Sequence, residues 1–231
     1  MRISALPTCW ANVLTAFWLC GETDQFAWLA FLLCVSSCFY LGGMVLNDVY
    51  DAKIDAVERP ERPIPSGKIS VSVANIIGYS LLSFGLLQVC GYIGGYVTLI
   101  EKPISFSVGD YACLLFFAIW GYNFGLKRIP IIGPITMGLC RLFNILMVSF
   151  AVGGGMSVYA VSVFSYITAL TILSRYEAKS LFARKLVGVG LASIILIDSV
   201  WCLVCVGVFP ALVVLTLYPV AIGLRRIVSM T

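Results

Sequence analysis

The sequence predicts an all-α protein that crosses a membrane several times as a helical bundle. Of its 231 residues, 61% are hydrophobic and only 11% are charged, and the mean hydropathy is +1.01. Soluble domains average about 45–50% apolar and about 25% charged residues. Because the polar residues fall in a few short segments between long apolar runs, residues 1–231 are predicted to form one transmembrane domain.

Eight apolar segments approach the roughly 20 residues that a transmembrane helix needs. They cover residues 8–21, 26–46, 70–90, 108–123, 134–152, 157–174, 186–206 and 209–224, of which the first and fourth are short. Residues 91–100 form a further apolar stretch that is too short to span, and we expect it at the membrane interface. We expect no cleaved signal peptide, because the first segment lacks a small-residue cleavage site.

The distribution of Lys and Arg predicts the orientation. With eight spans, every one of the 15 Lys and Arg residues lies on one face, except Lys102 on the other face and Arg141 inside the fifth span. The positive-inside rule makes the rich face cytoplasmic, in a cell inner membrane or an organelle membrane. The net charge of +4 requires no nucleic-acid partner.

A cluster of carboxylates closes the second predicted span on that face. Asp48, Asp51 and Asp55 fall at i, i+3 and i+7 of a helix, and Asn47 shares their face. Clustered carboxylates repel one another and are costly at the edge of a bilayer. Hard oxygen ligands at this density suit Mg²⁺, which usually completes its shell with water and substrate phosphates. The cluster therefore indicates a metal-bound diphosphate at a membrane surface.

Two basic segments on the same face are candidates to hold the phosphates. Arg59 and Arg62 lie in a turn stiffened by three prolines, and Lys127 and Arg128 follow the fourth span. A guanidinium is suited to bidentate contact with phosphate oxygens. The alternative is that these cations anchor the loops to lipid headgroups, with Arg59 and Arg62 paired to neighbouring glutamates.

Polar residues inside or at the ends of spans leave alternatives open. Arg141 and Asn144 share a face of the fifth span. An arginine within a span usually faces the bundle interior, where Arg141 could bind a ligand or form a structural ion pair. Glu177 ends the sixth span and could equally pair with Arg175 or Lys179. Further polar residues within spans are expected to form hydrogen bonds between helices: Asn12, Asn75, Gln88 and Asp198. The chain has no histidine, which excludes histidine both as a general base and as a metal ligand.

These residues resemble a known family. Asn47–Asp55, followed by Arg62–Gly67, resembles the first signature of the UbiA superfamily of intramembrane prenyltransferases. The opening Leu6–Leu14 is similar to the family's first helix, and Tyr122 with Lys127 and Arg128 resembles its basic loop. Within the superfamily, Met137–Asn144 looks most like the UbiA-like members of the Ebo gene clusters.

The resemblance implies a bundle around a central cavity that opens laterally to lipid. Family enzymes bind an isoprenyl diphosphate through Mg²⁺, ionise its C–O bond, and let a small aromatic or lipid-soluble acceptor attack the allylic carbocation. Carried onto this chain, the resemblance makes Asp48, Asp51 and Lys127 catalytic and Asp48, Asp51, Asp55 and Glu177 metal ligands. The predicted substrate contacts are Asn47, Arg59, Arg62, Tyr122, Lys127, Arg128, Arg141 and Asn144.

The chain departs from the family pattern in two places. The family's second motif, Asp-x-x-x-Asp, is replaced by Ser174–Ala178, in which Glu177 is the sole carboxylate. The sequence also predicts eight spans where the family commonly has nine. Two functions therefore stay open: an Mg²⁺-dependent prenyltransferase, or a non-catalytic or transport-type protein that binds a prenylated lipid or diphosphate. A CDP-alcohol phosphotransferase is disfavoured, because its Asp-Gly-x-x-Ala-Arg opening is absent.

The predicted orientation can be measured by labelling single cysteines on a cysteine-free background. Cysteines at Ser66 and Ser180 are expected to react with a membrane-impermeant maleimide from the cytoplasmic side, because both lie in lysine- and arginine-rich segments. A cysteine at Ser105 serves as the control for the opposite face. Labelling of the first two positions from the outer side alone would contradict the topology.

Overall fold

A computed structural model describes residues 5–21, 26–96, 107–155, 158–175 and 181–230, and within these ranges the chain forms helices and turns. The α-helices are α1 (Leu6–Leu19), α2 (Phe26–Tyr50), α3 (Ala52–Glu58), α4 (Val71–Tyr96), α5 (Ser107–Phe124), α6 (Ile132–Ala151), α7 (Val158–Ser174), α8 (Leu181–Cys205), α9 (Val208–Leu215) and α10 (Leu217–Met230). A 3₁₀ turn at Leu126–Arg128 joins α5 to α6. The predicted all-α architecture is confirmed.

The helices follow the predicted spans with two differences. Residues 91–96 of the stretch expected at the membrane interface continue α4, and the rest of that stretch lies outside the described residues. The last predicted span is divided at Thr216 into α9 and α10. By length and composition, four described segments can cross a membrane: Phe26–Tyr50, Val71–Gly91, Ile132–Ala151 and Val187–Cys205, whereas Val158–Ser174 and Val208–Leu224 are shorter apolar helices.

Helix α1 lies at the centre of the bundle, in contact with α2, α6, α8, α9 and α10. Its side chains are buried on almost every side, including Val13, Ala16 and Phe17. A helix that is apolar all round is typically a buried one, because no face of it needs water. The short α1 therefore serves as the core around which the longer helices pack.

Close approach of α2 and α4 fixes the wall that carries the carboxylates. Gly42 and Gly78 face this contact, and a Cβ placed on Gly78 would lie 2.7 Å from Cδ2 of the fully buried Leu46. Small residues at such interfaces let membrane helices pack by van der Waals contact alone. The outer surface stays apolar, as a lipid-facing surface should be: exposed residues include Ile76, Phe84, Leu87, Phe117 and Val204.

A buried hydrogen-bond network joins three helices. The hydroxyl of Tyr159 donates to Asp198 Oδ1 at 2.9 Å, and Asn12 Nδ2 donates to Asp198 Oδ2 at 2.8 Å. Both carboxylate oxygens thus have a donor, which a buried carboxyl group requires. The expectation that Asn12 and Asp198 join helices by hydrogen bonds is confirmed, and the bonds connect α1, α7 and α8.

Candidate functional site

The carboxylate cluster lies where α2 passes into α3. Asp51 interrupts the helix assignment, but its backbone N–H donates to Asn47 O at 3.0 Å and the Asp55 N–H donates to Asp51 O at 2.8 Å. These bonds preserve the i, i+4 register across the junction. Asn47, Asp51 and Asp55 therefore share a face, as their spacing predicts.

Lys127 reaches this face from the 3₁₀ turn after α5. Its Nζ lies 2.6 Å from Asp51 Oδ1 and donates to Asn47 Oδ1 at 3.2 Å. Asn47 Nδ2 in turn donates to Asp51 Oδ2 at 3.1 Å. The Lys127 side chain is 11% exposed and that of Asp51 24%, so the pair is only partly screened by solvent. One cation thus contacts two polar residues of the cluster.

The proline-rich turn brings Arg62 to the other two carboxylates. Its Nη1 lies 2.5 Å from Asp55 Oδ2 and 3.6 Å from Asp48 Oδ1. The turn is compact because Ser66 N–H donates to Arg62 O at 2.9 Å and Gly67 adopts a φ of 75°, a conformation that favours glycine. Arg62 is therefore paired with aspartates of the cluster, and the interpretation that it anchors the loop to lipid headgroups is wrong.

The three carboxylates do not form one shared metal cage. No group of three or more Cys, Asp or Glu side chains in the described ranges is arranged to hold a metal ion. Asp55 is 4% exposed and engaged by Arg62, which argues against the role of Asp55 as a metal ligand. Asp48 and Asp51 still offer hard oxygens, and Mg²⁺ commonly takes only one or two carboxylates together with water and phosphate. The donor set therefore fits Mg²⁺ that arrives with a phosphate ligand.

Arg175, at the end of α7, holds the loop that carries Lys127. Its Nη2 donates to the carbonyl oxygens of Lys127 at 3.0 Å and Ile129 at 2.9 Å. Gly133 leaves the room for this contact, since a Cβ there would lie 2.6 Å from the same nitrogen. The sequence had suggested an ion pair of Arg175 with Glu177. The structure assigns the guanidinium to backbone oxygens, and Glu177 lies outside the described residues.

A cavity of about 700 Å³ opens beside the cluster. It is lined by parts of α1, α2, α5, α6, α7, α8 and α10 and by the turn that carries Arg59. The predicted substrate contacts Asn47, Arg59, Tyr122, Arg141 and Asn144 all line it. Arg128 is exposed and forms no ion pair with another described residue. A volume of this size suits a small-molecule ligand.

Arg141 faces the cavity from α6 without an acidic partner in the part of the chain that the structure describes. Its Nη1 donates to Asn12 Oδ1 at 3.0 Å and its Nη2 to Thr8 Oγ1 at 2.9 Å. The guanidinium carbon lies 5.3 Å from the centroid of the Tyr40 ring, within the range of a cation–π contact. The structural ion pair considered for Arg141 is therefore absent among the described residues, and neutral groups hold it instead.

The fold and the site together define a helical membrane protein with a charged cluster beside a cavity, and Asn47 connects the two because it contacts Lys127 and Asp51 and lines the cavity. The sequence pattern of the UbiA prenyltransferase family matches residues 4–230, and the chain belongs to this family. This confirms the resemblance at the level of the family; the assignment to the Ebo-cluster subgroup stays a prediction.

The similar proteins include digeranylgeranylglyceryl phosphate synthases of three archaea. The synthase of Sulfolobus acidocaldarius is 32% identical over 120 residues, which cover 52% of this chain and 39% of the relative. That of Methanobrevibacter smithii is 29% identical over 139 residues (60% and 45%), and that of Methanosarcina mazei 29% over 147 residues (63% and 43%). The matches thus span less than half of the relatives' own length. No solved structure matches the chain significantly.

The pair of Arg62 and Asp55 predicts a specific effect on stability. The variant Arg62→Ala leaves a buried carboxylate without its donor, which costs roughly 1–3 kcal/mol and lowers the melting temperature in detergent. The double variant Arg62→Ala with Asp55→Asn removes the unpaired charge and should recover part of this loss. The control is Arg128→Ala, which changes an exposed cation nearby. Additive losses in the double variant would contradict the pairing.

Proposed function

We propose that the protein transfers an isoprenyl group from a prenyl diphosphate, with Mg²⁺, to a small aromatic or lipid-soluble acceptor inside the membrane. The observation that carries this proposal is the set of ion pairs beside the cavity, which Asn47 connects to the cavity wall. Asp48 and Asp51 lie beside two cations, Lys127 and Arg62, on one helical face. Membership of a prenyltransferase family supports the reaction type, and the names of the relatives favour a geranylgeranyl donor.

The cluster would bind the diphosphate by exchanging ion pairs. In the structure, Lys127 forms an ion pair with Asp51, and Arg62 forms one with Asp55 and lies near Asp48. Bound Mg²⁺ would neutralise the diphosphate and make it a better leaving group. Asp48 and Asp51 would hold the metal, while Lys127, released from Asp51, would turn its ammonium toward a phosphate oxygen. Each carboxylate would then keep a cation beside it during the exchange.

The same side chains would favour the reaction as well as binding. Negative charge grows on the bridging oxygen as the C–O bond breaks, and cations already aimed at that oxygen stabilise this charge without reorganisation. Arg62 stays with Asp55, which fixes its position, and would present its other nitrogens to the diphosphate. Arg175 would act only indirectly, by holding the backbone of Lys127.

The cavity walls would hold the prenyl chain. Phe39, Met44, Leu115, Ile119 and Met137 line the cavity below Asn47. Apolar walls bind an isoprenoid by burial of apolar area, and they keep water from an allylic carbocation that it would otherwise quench. The charged cluster would face the cytoplasm, as the distribution of Lys and Arg predicts.

The second candidate is a protein that binds a prenyl diphosphate or prenylated lipid without transferring it. The observation in its favour is that the segment where the family carries its second aspartate motif has Glu177 as its sole carboxylate, while Arg175 in the same segment holds a loop backbone. Release of pyrophosphate from geranylgeranyl diphosphate with Mg²⁺, with a panel of acceptors and mass-spectrometric detection of products, separates the two. Tight binding without release under every condition would favour the second candidate.

The role of Asp51 predicts a loss of metal-dependent binding. Asp51→Asn removes one metal ligand, so the Mg²⁺-dependent affinity for geranylgeranyl diphosphate should fall by about 10–100-fold or more. Binding is measured with purified protein in detergent, with Mg²⁺ and with EDTA. Asp110→Asn, a carboxamide substitution in the first turn of α5, is the matched control. Unchanged affinity in well-folded Asp51→Asn protein would refute the assignment.

The role of Lys127 predicts a loss that depends on the phosphates. Lys127→Ala should weaken binding of geranylgeranyl diphosphate by about tenfold or more, because a charge-assisted contact is lost, while geranylgeraniol binding should change little. Lys68→Ala, which removes an exposed lysine of the same predicted face, is the control. Equal losses for the diphosphate and the alcohol would exclude a phosphate contact.

A further inference from the structure

The outer surface of the bundle carries two stacked aromatic rings that are followed by an exposed arginine. Trp120 and Phe124 lie in the last turns of α5, both are exposed, and their rings stack with centroids 5.2 Å apart at an interplanar angle of 16°. Arg128 follows Phe124 by four residues and is also exposed. The rise of α- and 3₁₀-helices places it about 6–8 Å further along. Trp120, Phe124 and Arg128 together are called the outer strip below.

The aromatic part of the outer strip is held by the helices behind it. The rings of Tyr50 and Phe124 meet edge to face, with centroids 6.3 Å apart at an angle of 78°. The hydroxyl groups of Tyr50 and Tyr79 in turn lie 3.0 Å apart, within hydrogen-bond distance. Phe124 is therefore supported by α2 and α4, although 65% of its surface is exposed. The two stacked rings thus form a preformed apolar surface.

Arg128 and its neighbour Lys127 have different surroundings. Lys127 is committed to Asp51 in the carboxylate cluster, whereas Arg128 is exposed and forms no ion pair with another residue that the structure describes. Arg175 binds the carbonyl oxygens of the residues immediately before and after Arg128. The backbone that carries Arg128 is therefore held on both sides, and its guanidinium is presented at the surface.

The residues that follow Arg128 indicate that this surface meets lipid. Ile129, Ile131 and Ile132 are all exposed, and Ile131 is 72% exposed. Apolar side chains beside a cation at the end of a membrane helix are typical of the bilayer interface, where an arginine keeps its charge among the headgroups and its stem on apolar surface. Tryptophan is also enriched at this level of a bilayer. A soluble anion would account for the arginine but not for the exposed isoleucines.

We propose that the outer strip binds a membrane phospholipid with a net negative headgroup, whose phosphate lies on Arg128 and whose acyl chain lies along Trp120 and Phe124. The planar fork of an arginine matches phosphate oxygens in geometry and charge. A zwitterionic lipid carries its own cation beside the phosphate, so it competes less well for the guanidinium. None of the three residues lines the cavity, and the site does not depend on the proposed transferase function.

The test uses Trp120 as a reporter, because bromine atoms on a lipid chain quench indole fluorescence on contact. The full chain is reconstituted in phosphatidylcholine bilayers that contain either brominated phosphatidylglycerol or brominated phosphatidylcholine at the same mole fraction. The signal of Trp120 is the difference between the wild type and Trp120→Phe, which keeps an aromatic ring. Phosphatidylglycerol should associate with Trp120 about fivefold more strongly than phosphatidylcholine, the effect of one cation near a lipid surface. Arg128→Gln should abolish this preference.

Two further variants keep the test decisive. Lys68→Gln removes an exposed cation from the turn before α4 and should retain the full preference, whereas Arg128→Lys should retain part of it, because it keeps the charge but loses the fork.

Three outcomes would overturn the proposal. The first is equal association of the two lipids with the wild type, and the second is an equal loss of preference in Lys68→Gln and Arg128→Gln, which would show a non-specific effect of surface charge. The third is a Trp120 signal that neither lipid quenches, because another protein surface would then cover the outer strip. The measurement contains no diphosphate, so its failure and a failure of the Asp51→Asn test are distinguishable.

Discussion

Three carboxylates within two helical turns, at the end of an apolar helix, need positive charge close by. Two carboxylates of like charge repel strongly where the effective dielectric is low, and the described structure meets this need from two directions. Arg62 returns from the proline-rich turn to Asp55 and Asp48, and Lys127 crosses from α5 to Asp51. The loops at this end of the bundle are thereby tied to α2, which is why the turn, the 3₁₀ segment and the helix junction form one site.

The same compensation would let the site respond to the phosphate ligand that we propose. An ion pair that is 11–24% exposed, such as Lys127 with Asp51, is held by modest net energy, so a metal-bound diphosphate can replace it at little cost. The side chain of Asp55 is more buried than that of Asp51, at 6% against 24% exposed, so the pair of Asp55 with Arg62 would be costlier to break. The cluster therefore contains an exchangeable pair and a fixed pair, and the fixed pair supplies the rigid frame on which exchange can occur.

Much of this arrangement follows from the sequence. Apolar run length located the helices, and residue spacing placed Asn47, Asp51 and Asp55 on one face, because both depend on local geometry alone. The break at Thr216 was not predicted, although Pro219 marks it in the sequence, because a proline has no N–H to donate to the carbonyl oxygen of Leu215 one turn earlier. The contact of Arg175 with loop carbonyl oxygens was also not predicted, because every residue has a backbone carbonyl and the sequence does not indicate which one accepts a bond. Residues that bind side chains can be paired by charge, whereas residues that bind backbone cannot.

The buried polar groups around Asp198 and Arg141 belong to one network, because Asn12 contacts both residues. Around Asp198, each carboxylate oxygen receives a donor, from Tyr159 and from Asn12, so this part of the network holds α1, α7 and α8 together. Around Arg141, a cation meets only neutral acceptors. A network that serves stability alone gains by satisfying every member, because each unpaired group weakens the fold. The bonds of Arg141 to Asn12 and Thr8 therefore extend this network and join α6 to α1.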